Sequence, residues 1–299
     1  MILSKVSYVL GAIPKRFSRP DTCPGCGSME HSQVDRKAFH ELRRCGDCSL
    51  LYRWPYETAE EMSSFYQKGY QQKGLTTDLP DESALAALVK NKFKNTDKDF
   101  SLVIEWIRSL GLPKSARILD YGANWGYGVY QFNQAGYQAM GFEISAPRAA
   151  YSRQLAGVEV MTDWESVAQR GPFDMVFSSH VLEHTPNPAR AIASQMAVLS
   201  PGGWLMAIFP NGSKAFRDAD RESFHRLWGR VHPVMLNDEF VQRLLSDELM
   251  FMGAKADMAT VAGMLESTEK PIRGDLSGSE MLILARKKGA VVHHDGWRS

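Results

Sequence analysis

The chain has 299 residues, of which 44% are hydrophobic and 23% charged, a globular composition with room for more than one domain. Its 35 Lys and Arg residues balance 34 Asp and Glu residues, and a formal net charge of +1 provides no overall attraction to nucleic acid or an anionic membrane. No apolar run approaches the roughly 20 residues that cross a bilayer. We therefore expect no membrane span, and a nucleic-acid partner is not favoured. The cysteine pairs described below favour a cytoplasmic protein.

The chain starts with MILSKVSYVLGAIPKRF, a short apolar stretch that ends at Pro14. A signal peptide usually has a longer apolar core and a cleavage site of small residues. We predict a short strand or helix here, with a signal peptide or surface anchor as the alternative.

Four cysteines form two close pairs, Cys23 with Cys26 and Cys45 with Cys48. Four thiolates suit tetrahedral Zn²⁺, and they fill its coordination shell, so the ion is expected to be structural. The alternatives are two disulfides or a redox pair. His31 and His40 can in principle replace a cysteine, although four cysteines already suffice. The sequence predicts a zinc-binding module over residues 1–56, with strands in VDRKAFHELRRC and LLYRWP.

Residues 57–112 are predicted to form a helical linker or cap. Apolar residues recur at helical spacing in 57–74, near 83–94 and near 97–110, and Gly111 and Pro113 end the last of these helices.

Short buried strands then alternate with helical segments over residues 113–290. Alternation of this kind predicts a parallel, three-layer α/β sheet whose ligand lies beyond the carboxyl ends of the strands. Residues 291–299 are left as a C-terminal tail. We place the strands at 116–120, 137–143, 158–161, 173–178, 203–209 and 281–286. We place the helices near 126–135, 146–155, 188–199 and 237–248.

The first strand runs into a glycine-rich turn, ILDYGANWGYG. Its glycines let the backbone approach a ligand closely, and Glu143, at the end of the second strand, can accept both hydroxyls of a ribose. The Gly-x-Gly-x-x-Gly pattern of dinucleotide folds is absent. Asp120 repels a phosphate but suits an amino group. A nucleoside that carries an amino-acid end is S-adenosylmethionine.

Four blocks now resemble the class I S-adenosylmethionine-dependent methyltransferases: ILDYGANWGYG, GFEIS, FDMVFSSHVLEHTPNPARAI and LSPGGWLMAIFPN. The N-terminal part is similar to a branch in which a four-cysteine zinc module precedes an aromatic strand and a tyrosine-containing helix, here LLYRWP and SFYQKGY. The resemblance implies a Rossmann-like fold with a mostly parallel seven-stranded sheet, plus a small zinc-ribbon-like module. Asn124 departs from the family pattern, in which glycine is common. We expect no counterpart of the further C-terminal domain that longer sugar C-methyltransferases of this branch carry.

The resemblance also implies residue roles. Glu143 is expected to accept hydrogen bonds from the ribose hydroxyls, and Ile144 is expected to pack on adenine. Asp163 is expected to accept a hydrogen bond from the adenine amino group, with Trp164 beside it. The alternative for Asp163 and Trp164 is a helix N-cap with a core aromatic, and for Glu143 an ordinary exposed strand end. The expected cofactor-binding set is Asp120, Tyr121, Gly122, Ala123, Asn124, Gly126, Glu143, Ile144, Asp163, Trp164 and Ser179.

Residues 180–184, HVLEH, fit the His-x-x-Glu-His pattern of one class of zinc peptidases. Such a site needs a helix that continues, and Pro186 and Pro188 prevent this. The stretch instead follows a strand, where a histidine can act as a base. His184 is the first candidate and His180 the second; the alternatives are packing near adenine and a bond to a backbone carbonyl.

Residues 211–236 are an insertion that we predict covers the substrate. His225, Arg226 and Trp228 are candidate substrate contacts, and His232 is the third candidate base. The arginines suit an anionic substrate such as a nucleotide-linked sugar. The arginines in question are Arg217, Arg221, Arg226 and Arg230. The alternative is that the insertion forms a solvated lid or an interface.

Together these features predict a methyltransferase that uses S-adenosylmethionine and structural Zn²⁺. It is expected to methylate oxygen, nitrogen or carbon of a small acceptor, such as a sugar, nucleotide-sugar or secondary metabolite, by in-line SN2 transfer with a histidine base. The alternatives are a macromolecule methyltransferase that docks RNA or protein on the zinc module, and a non-catalytic S-adenosylmethionine-binding protein. No residue pattern points to an oligomeric state.

Overall fold

The computed structural model describes residues 14–288, except 59, 63, 65–77, 230, 255–259, 262 and 265–269. The strands are β1 (His31–Lys37), β2 (His40–Cys45), β3 (Leu51–Trp54), β4 (Arg117–Tyr121), β5 (Gln138–Phe142), β6 (Val160–Met161), β7 (Phe173–Ser179), β8 (Leu199–Pro210), β9 (Val234–Met235), β10 (Leu249–Gly253), β11 (Ile272–Arg273) and β12 (Glu280–Arg286). The helices are α1 (Glu82–Lys90), α2 (Ser101–Ser109), α3 (Tyr127–Gln134), α4 (Ala146–Tyr151), α5 (Trp164–Arg170), α6 (Pro188–Ala197), α7 (Lys214–Ala219), α8 (Arg221–Leu227) and α9 (Asp238–Leu244).

The larger sheet has the strand order β11-β10-β12-β8-β7-β4-β5-β6. Strands β6, β5, β4, β7 and β8 are parallel, whereas β12 is antiparallel to both β8 and β10. In this order, β5 and β6 lie on one side of β4, and β7 and β8 lie on the other side. The carboxyl ends of β4, β5 and β7 therefore open onto a common crevice.

Helices cover both faces of this sheet, so the predicted three-layer α/β fold is confirmed. On one face, Ile107 of α2 and Phe132 of α3 pack with Ile118 of β4. On the other face, Ile192 of α6 and Phe240 of α9 belong to one cluster, and both side chains are fully buried. Burial of these side chains is the main favourable contribution to folding of this domain.

The predicted count of seven strands was wrong, since the described sheet contains eight. The sequence predicts a helix over 237–248, but α9 ends at Leu244, and a four-residue turn leads to β10 at Leu249. The apolar run LMFM continues the helical pattern of the residues before it. It is a strand because it pairs with the edge of β12. The eighth strand, β11, is a two-residue addition beside β10.

A smaller antiparallel sheet has the order β1-β2-β3-β9. Its first three strands belong to the N-terminal segment, which we call the module (residues 14–56). The last strand, β9, comes from residues 211–236, which we call the insertion. Leu51 pairs with Met235, and Tyr52 pairs with Val234. The module and the insertion therefore share one sheet.

Some predicted segments lie outside the described residues. These are the first 13 residues, most of the helix expected over 57–74, and the tail 291–299. Among the residues that the structure does describe, no helix is both long and apolar enough to pass through a bilayer.

Candidate functional site

The turn after β4, residues 122–126, is called the glycine loop here. Gly122, Asn124 and Gly126 all have left-handed backbone angles, with φ of 87°, 54° and 84°. A Cβ atom on Gly122 would lie 2.2 Å from Cγ2 of Val181, so only glycine allows the loop to approach the turn after β7. Gly126 is the N-cap of α3, as its position in the sequence predicted.

Glu143 lies directly beyond β5 and is tied to the glycine loop. Its Oε2 accepts a 3.0 Å hydrogen bond from the backbone N–H of Asn124, and its Oε1 accepts a 2.8 Å bond from that of Ser145. Burial raises the pKa of this carboxyl, while the two backbone donors act in the opposite direction. Glu143 is therefore an oriented acceptor rather than an ordinary exposed strand end.

Sequence reasoning missed Arg148 of α4, whose buried guanidinium donates a 2.6 Å hydrogen bond from Nη1 to Oδ1 of Asn124. This bond holds the asparagine that replaces the usual glycine of the loop. Nothing in the local sequence marks Arg148 as a partner.

Asp120, on β4 below the loop, is 4% exposed. Burial and the nearby charge of Glu143 raise its pKa to about 7. Within the described part of the chain, no hydrogen bond reaches its carboxylate. A cationic ligand group would relieve the cost of ionising this acid. The acid below the loop and the oriented acceptor at the end of β5 thus fit the amino group and the ribose of S-adenosylmethionine.

The expected adenine wall is partly open. Ile144 is 48% exposed. Asp163 caps α5, since its Oδ2 accepts a 2.8 Å bond from the Ser166 N–H, and Trp164 packs edge-on against Tyr121 and Phe142. For Asp163, the geometry therefore matches the N-cap alternative. A contact between Asp163 and adenine stays a prediction. Ser179 is the partly buried last residue of β7, and Ala123 is buried in the loop.

All three candidate bases come together around Glu183, and we call His180, Glu183, His184 and His232 the histidine cluster. The stretch Leu182–His184 is a single 3₁₀ turn, not the continuing helix that a zinc peptidase needs. Glu183 is fully buried. Its Oε1 lies 3.3 Å from Nδ1 of His180 and 3.7 Å from Nε2 of His184.

His180 lies between two carboxylates. Its Nε2 is 3.0 Å from Oε1 of Glu280 on β12, a residue that sequence reasoning missed. The close contacts with the carboxylates of Glu183 and Glu280 raise the pKa of His180 to about 10, so it carries a positive charge at neutral pH. The base role predicted for His180 stays a prediction.

His184 and His232 are both held through Nδ1 by backbone carbonyls. His184 Nδ1 donates to the Val231 carbonyl at 2.6 Å, and His232 Nδ1 donates to the Leu227 carbonyl at 2.8 Å. A carbonyl only accepts, so in these contacts Nδ1 carries the proton, and Nε2 of a neutral ring keeps its lone pair. The ring centroids are 5.0 Å apart. Burial and the neighbouring His184 lower the pKa of His232.

Two of the predicted substrate contacts lie instead against the module. Oδ2 of Asp35, on β1, accepts a 2.7 Å bond from Nδ1 of His225 and a 2.8 Å bond from Nε1 of Trp228. The ammonium of Lys37 lies 4.4 Å from the centre of the Trp228 ring. For His225 and Trp228, the geometry matches the interface alternative.

Two of the described insertion arginines make separate contacts. Arg226 is exposed and pairs with Glu222 along α8, and Arg217 lies over the ring of Phe224. Arg221 is exposed, and Arg230 lies outside the described residues. A role in binding an anionic substrate stays a prediction.

The four cysteines converge in the module, with their Sγ atoms within 4.8 Å of one another. Cys23 and Cys48 lie 3.6 Å apart, and Cys26 and Cys45 lie 3.5 Å apart, far beyond the roughly 2.05 Å of a disulfide. The Gly25 N–H donates to Sγ of Cys23, as the Cys48 N–H does to Sγ of Cys45. Four thiols at these separations fit a tetrahedral Zn²⁺ ion with Zn–S bonds of about 2.3 Å.

Residues 96–249 match a family model described as a methyltransferase domain, and the match covers just over half of the chain. The chain belongs to this methyltransferase family. The family resemblance drawn from the glycine loop and the strand-end motifs is thereby confirmed.

Curated relatives of this methyltransferase domain include two ubiquinone biosynthesis O-methyltransferases. That of Bordetella avium is 30% identical over 141 residues, which are 43% of this chain and 58% of the relative. That of Bordetella pertussis is 31% identical over 136 residues, which are 41% of this chain and 56% of the relative. The chain thus spans little more than half the length of the curated relatives that it matches.

Among solved structures, the chain is similar to the magnesium protoporphyrin IX methyltransferase of Synechocystis PCC 6803, crystallised with bound SAH. The TM-score is 0.49 at 13% identity, and the alignment covers 77% of this chain and 100% of that one.

Proposed function

We propose that this chain transfers a methyl group from S-adenosylmethionine to a hydroxyl group of a small-molecule acceptor. The observation that carries the proposal is the buried Asp120 beneath a glycine loop whose Asn124 N–H is bonded to Glu143. When bound, S-adenosylmethionine supplies a sulfonium methyl group that a nucleophile can attack in line. The names of the O-methyltransferase relatives support oxygen as the acceptor atom.

The cofactor end of the site is proposed to work through two carboxylates. Asp120 receives the cationic amino group of the methionine part, which favours its ionised form. Glu143 keeps acceptor capacity beyond its two backbone donors, because each carboxylate oxygen can accept more than one hydrogen bond. That capacity is available for the ribose hydroxyls, with Ile144 and Trp164 beside the adenine.

The acceptor end is proposed to be the histidine cluster. The close approach of Gly122 to Val181 puts the glycine loop directly against the turn that carries His180, Glu183 and His184. A hydroxyl group bound there lies beside the donor and can pass its proton to a histidine. His184 is our first candidate, because Nε2 is the lone-pair atom when Nδ1 donates to Val231, and His232 is the second.

The acceptor is proposed to be a sugar, nucleotide-sugar or other secondary metabolite. The four-cysteine site is proposed to hold a structural Zn²⁺ ion, which supports the module and, through β9, the insertion. Four thiols kept as metal ligands are typical of cytoplasmic proteins, and we propose that compartment.

The proposal is tested with purified chain and methyl-labelled S-adenosylmethionine. Hydroxylated small molecules, including nucleotide-sugars and phenols, are assayed for label uptake beside bulk RNA and a protein extract. Label in a small molecule is the expected result. Label only in RNA or protein would support the macromolecular alternative. Tight S-adenosylhomocysteine binding without any transfer would favour a non-catalytic binding protein, and calorimetry without any binding would overturn the cofactor assignment.

A further inference from the structure

Three side chains of the histidine cluster converge from two distant segments of the chain. One ligand atom each from Glu183, His184 and His232 lies within 4.8 Å of the others. The first two residues lie in the turn after β7, and the third lies near the end of the insertion. We propose that Glu183, His184 and His232 bind a divalent transition-metal ion. Binding itself is independent of methyl transfer, whereas the chemical role of the ion rests on the proposed function.

Both imidazoles are oriented as metal ligands usually are. A metal-binding histidine almost always donates its other ring N–H to a carbonyl or a carboxylate, which fixes the ring and its tautomer. Here Nδ1 of His184 donates to Val231 and Nδ1 of His232 donates to Leu227. Nε2 of His184 faces the Glu183 carboxylate at 3.7 Å.

The carboxylate of Glu183 is the second, independent observation. The residue is completely buried, and neither of its oxygens has a hydrogen-bond partner of acceptable geometry among the described residues. A buried charge without such partners is costly. Its nearest cationic neighbour, His180, is shared with Glu280. One positive charge on His180 thus faces two carboxylates, and a divalent ion beside Glu183 supplies the positive charge that this set lacks.

The ligand set selects the class of ion. Two imidazole nitrogens and one carboxylate oxygen suit zinc, cobalt(II) or iron(II), whereas magnesium and calcium prefer all-oxygen sites. Ligand distances of about 2.1 Å require the three atoms to move closer than they now lie, by rotation of the His232 ring and its neighbours. Three protein ligands also leave coordination positions open for water or an acceptor oxygen.

An ion at this place changes the chemistry expected of the two histidines. An acceptor hydroxyl bound at the open position has its pKa lowered by the ion. Its O–H bond breaks, and the proton passes to solvent. The electron pair left on the oxygen then forms a bond to the methyl carbon as the sulfur–methyl bond breaks, and S-adenosylhomocysteine leaves with the electron pair of that bond. In this arrangement, His184 and His232 are ligands and not bases.

The full chain, with zinc already at the cysteine site, is titrated with cobalt(II) and followed by absorption spectroscopy and metal analysis. The expected result is one further ion per chain, with d–d bands but without the sulfur-to-cobalt charge-transfer band, since no cysteine takes part. Magnesium should not compete. His232→Asn and Glu183→Gln should each lose this second ion while keeping the zinc.

The matched control variants are His31→Asn, a half-buried histidine in the module, and Glu222→Gln, on the surface of the insertion. Both should bind cobalt like the unchanged chain. The proposal is overturned if the unchanged chain takes up no second ion, or if His232→Asn, folded by circular dichroism, still binds it with unchanged affinity. S-adenosylhomocysteine binding, measured on the same samples, tests the proposed function separately, so either idea can fail alone.

Discussion

The carboxylate of Asp35 accepts a 2.8 Å hydrogen bond from the indole N–H of Trp228, which lies 193 residues further along the chain. Trp228 is fully buried, and the same carboxylate oxygen also accepts from His225. The module therefore holds the insertion at α8, a few residues before His232. Together with the pairing of β3 and β9, this contact makes the module a support for the part of the insertion that carries His232.

Asp35→Ala should lower the free energy of unfolding by about 1–3 kcal/mol, because it leaves the buried indole N–H without an acceptor. Urea unfolding followed by tryptophan fluorescence measures the change. Asp218→Ala, which removes an exposed acid of the insertion, should stay within about 0.5 kcal/mol. A loss no larger than that of Asp218→Ala would show that the Asp35 contact contributes little.

Glu143→Ala should weaken S-adenosylhomocysteine binding by at least about tenfold, or about 1.4 kcal/mol. It removes the proposed ribose acceptor and also releases the N–H groups of Asn124 and Ser145. Calorimetry measures the affinity. Glu159→Ala, at a half-exposed acid, is the control and should bind normally. Unchanged affinity in Glu143→Ala would remove this residue from the cofactor site.

Asp120 predicts a pH dependence of stability in the cofactor-free chain. Its pKa rises from 3.8 to about 7 on folding, so between these values the folded state binds more protons than the unfolded state. The contribution of this group is most favourable below pH 4 and is lost as the pH rises towards 7. Asp120→Asn should therefore flatten the curve of unfolding free energy in that window by up to about 1.4 kcal/mol per pH unit.

The same acid links cofactor binding to pH. Because the amino group of S-adenosylhomocysteine needs the ionised carboxylate, the affinity should rise as the pH approaches 7 and then level off. Asp120→Asn should bind weakly at every pH without this slope. An identical slope in both proteins would assign the dependence to another group.

Cys45→Ser should release about one zinc ion per chain and destabilise the module, because the closed shell loses one of four ligands. Since β9 pairs with β3, the insertion should also become more sensitive to limited proteolysis. Metal analysis and digestion time courses measure both effects. Asp47→Ala, an exposed residue of the same knuckle, should keep its metal. Absence of zinc from the native protein would contradict the site.

The features found from the sequence are those that depend on near neighbours in the chain. The cysteine spacing, the glycine loop and the acids at the ends of β4 and β5 are local patterns. By contrast, β10 was missed because its apolar run reads like the helix before it, and only pairing with β12 shows that it is a strand.

The sequence by itself determined the α/β class, the acids at the ends of β4 and β5, and the four cysteines, because short-range periodicity and spacing encode them. Tertiary structure decided which side chains surround the buried Glu183. It brought His232 from the insertion and Glu280 from β12 next to the turn after β7, whose residues are neighbours in the sequence. It also placed His225 and Trp228 against Asp35. Such contacts join residues far apart in sequence, and they depend on how the sheets pack rather than on any local pattern.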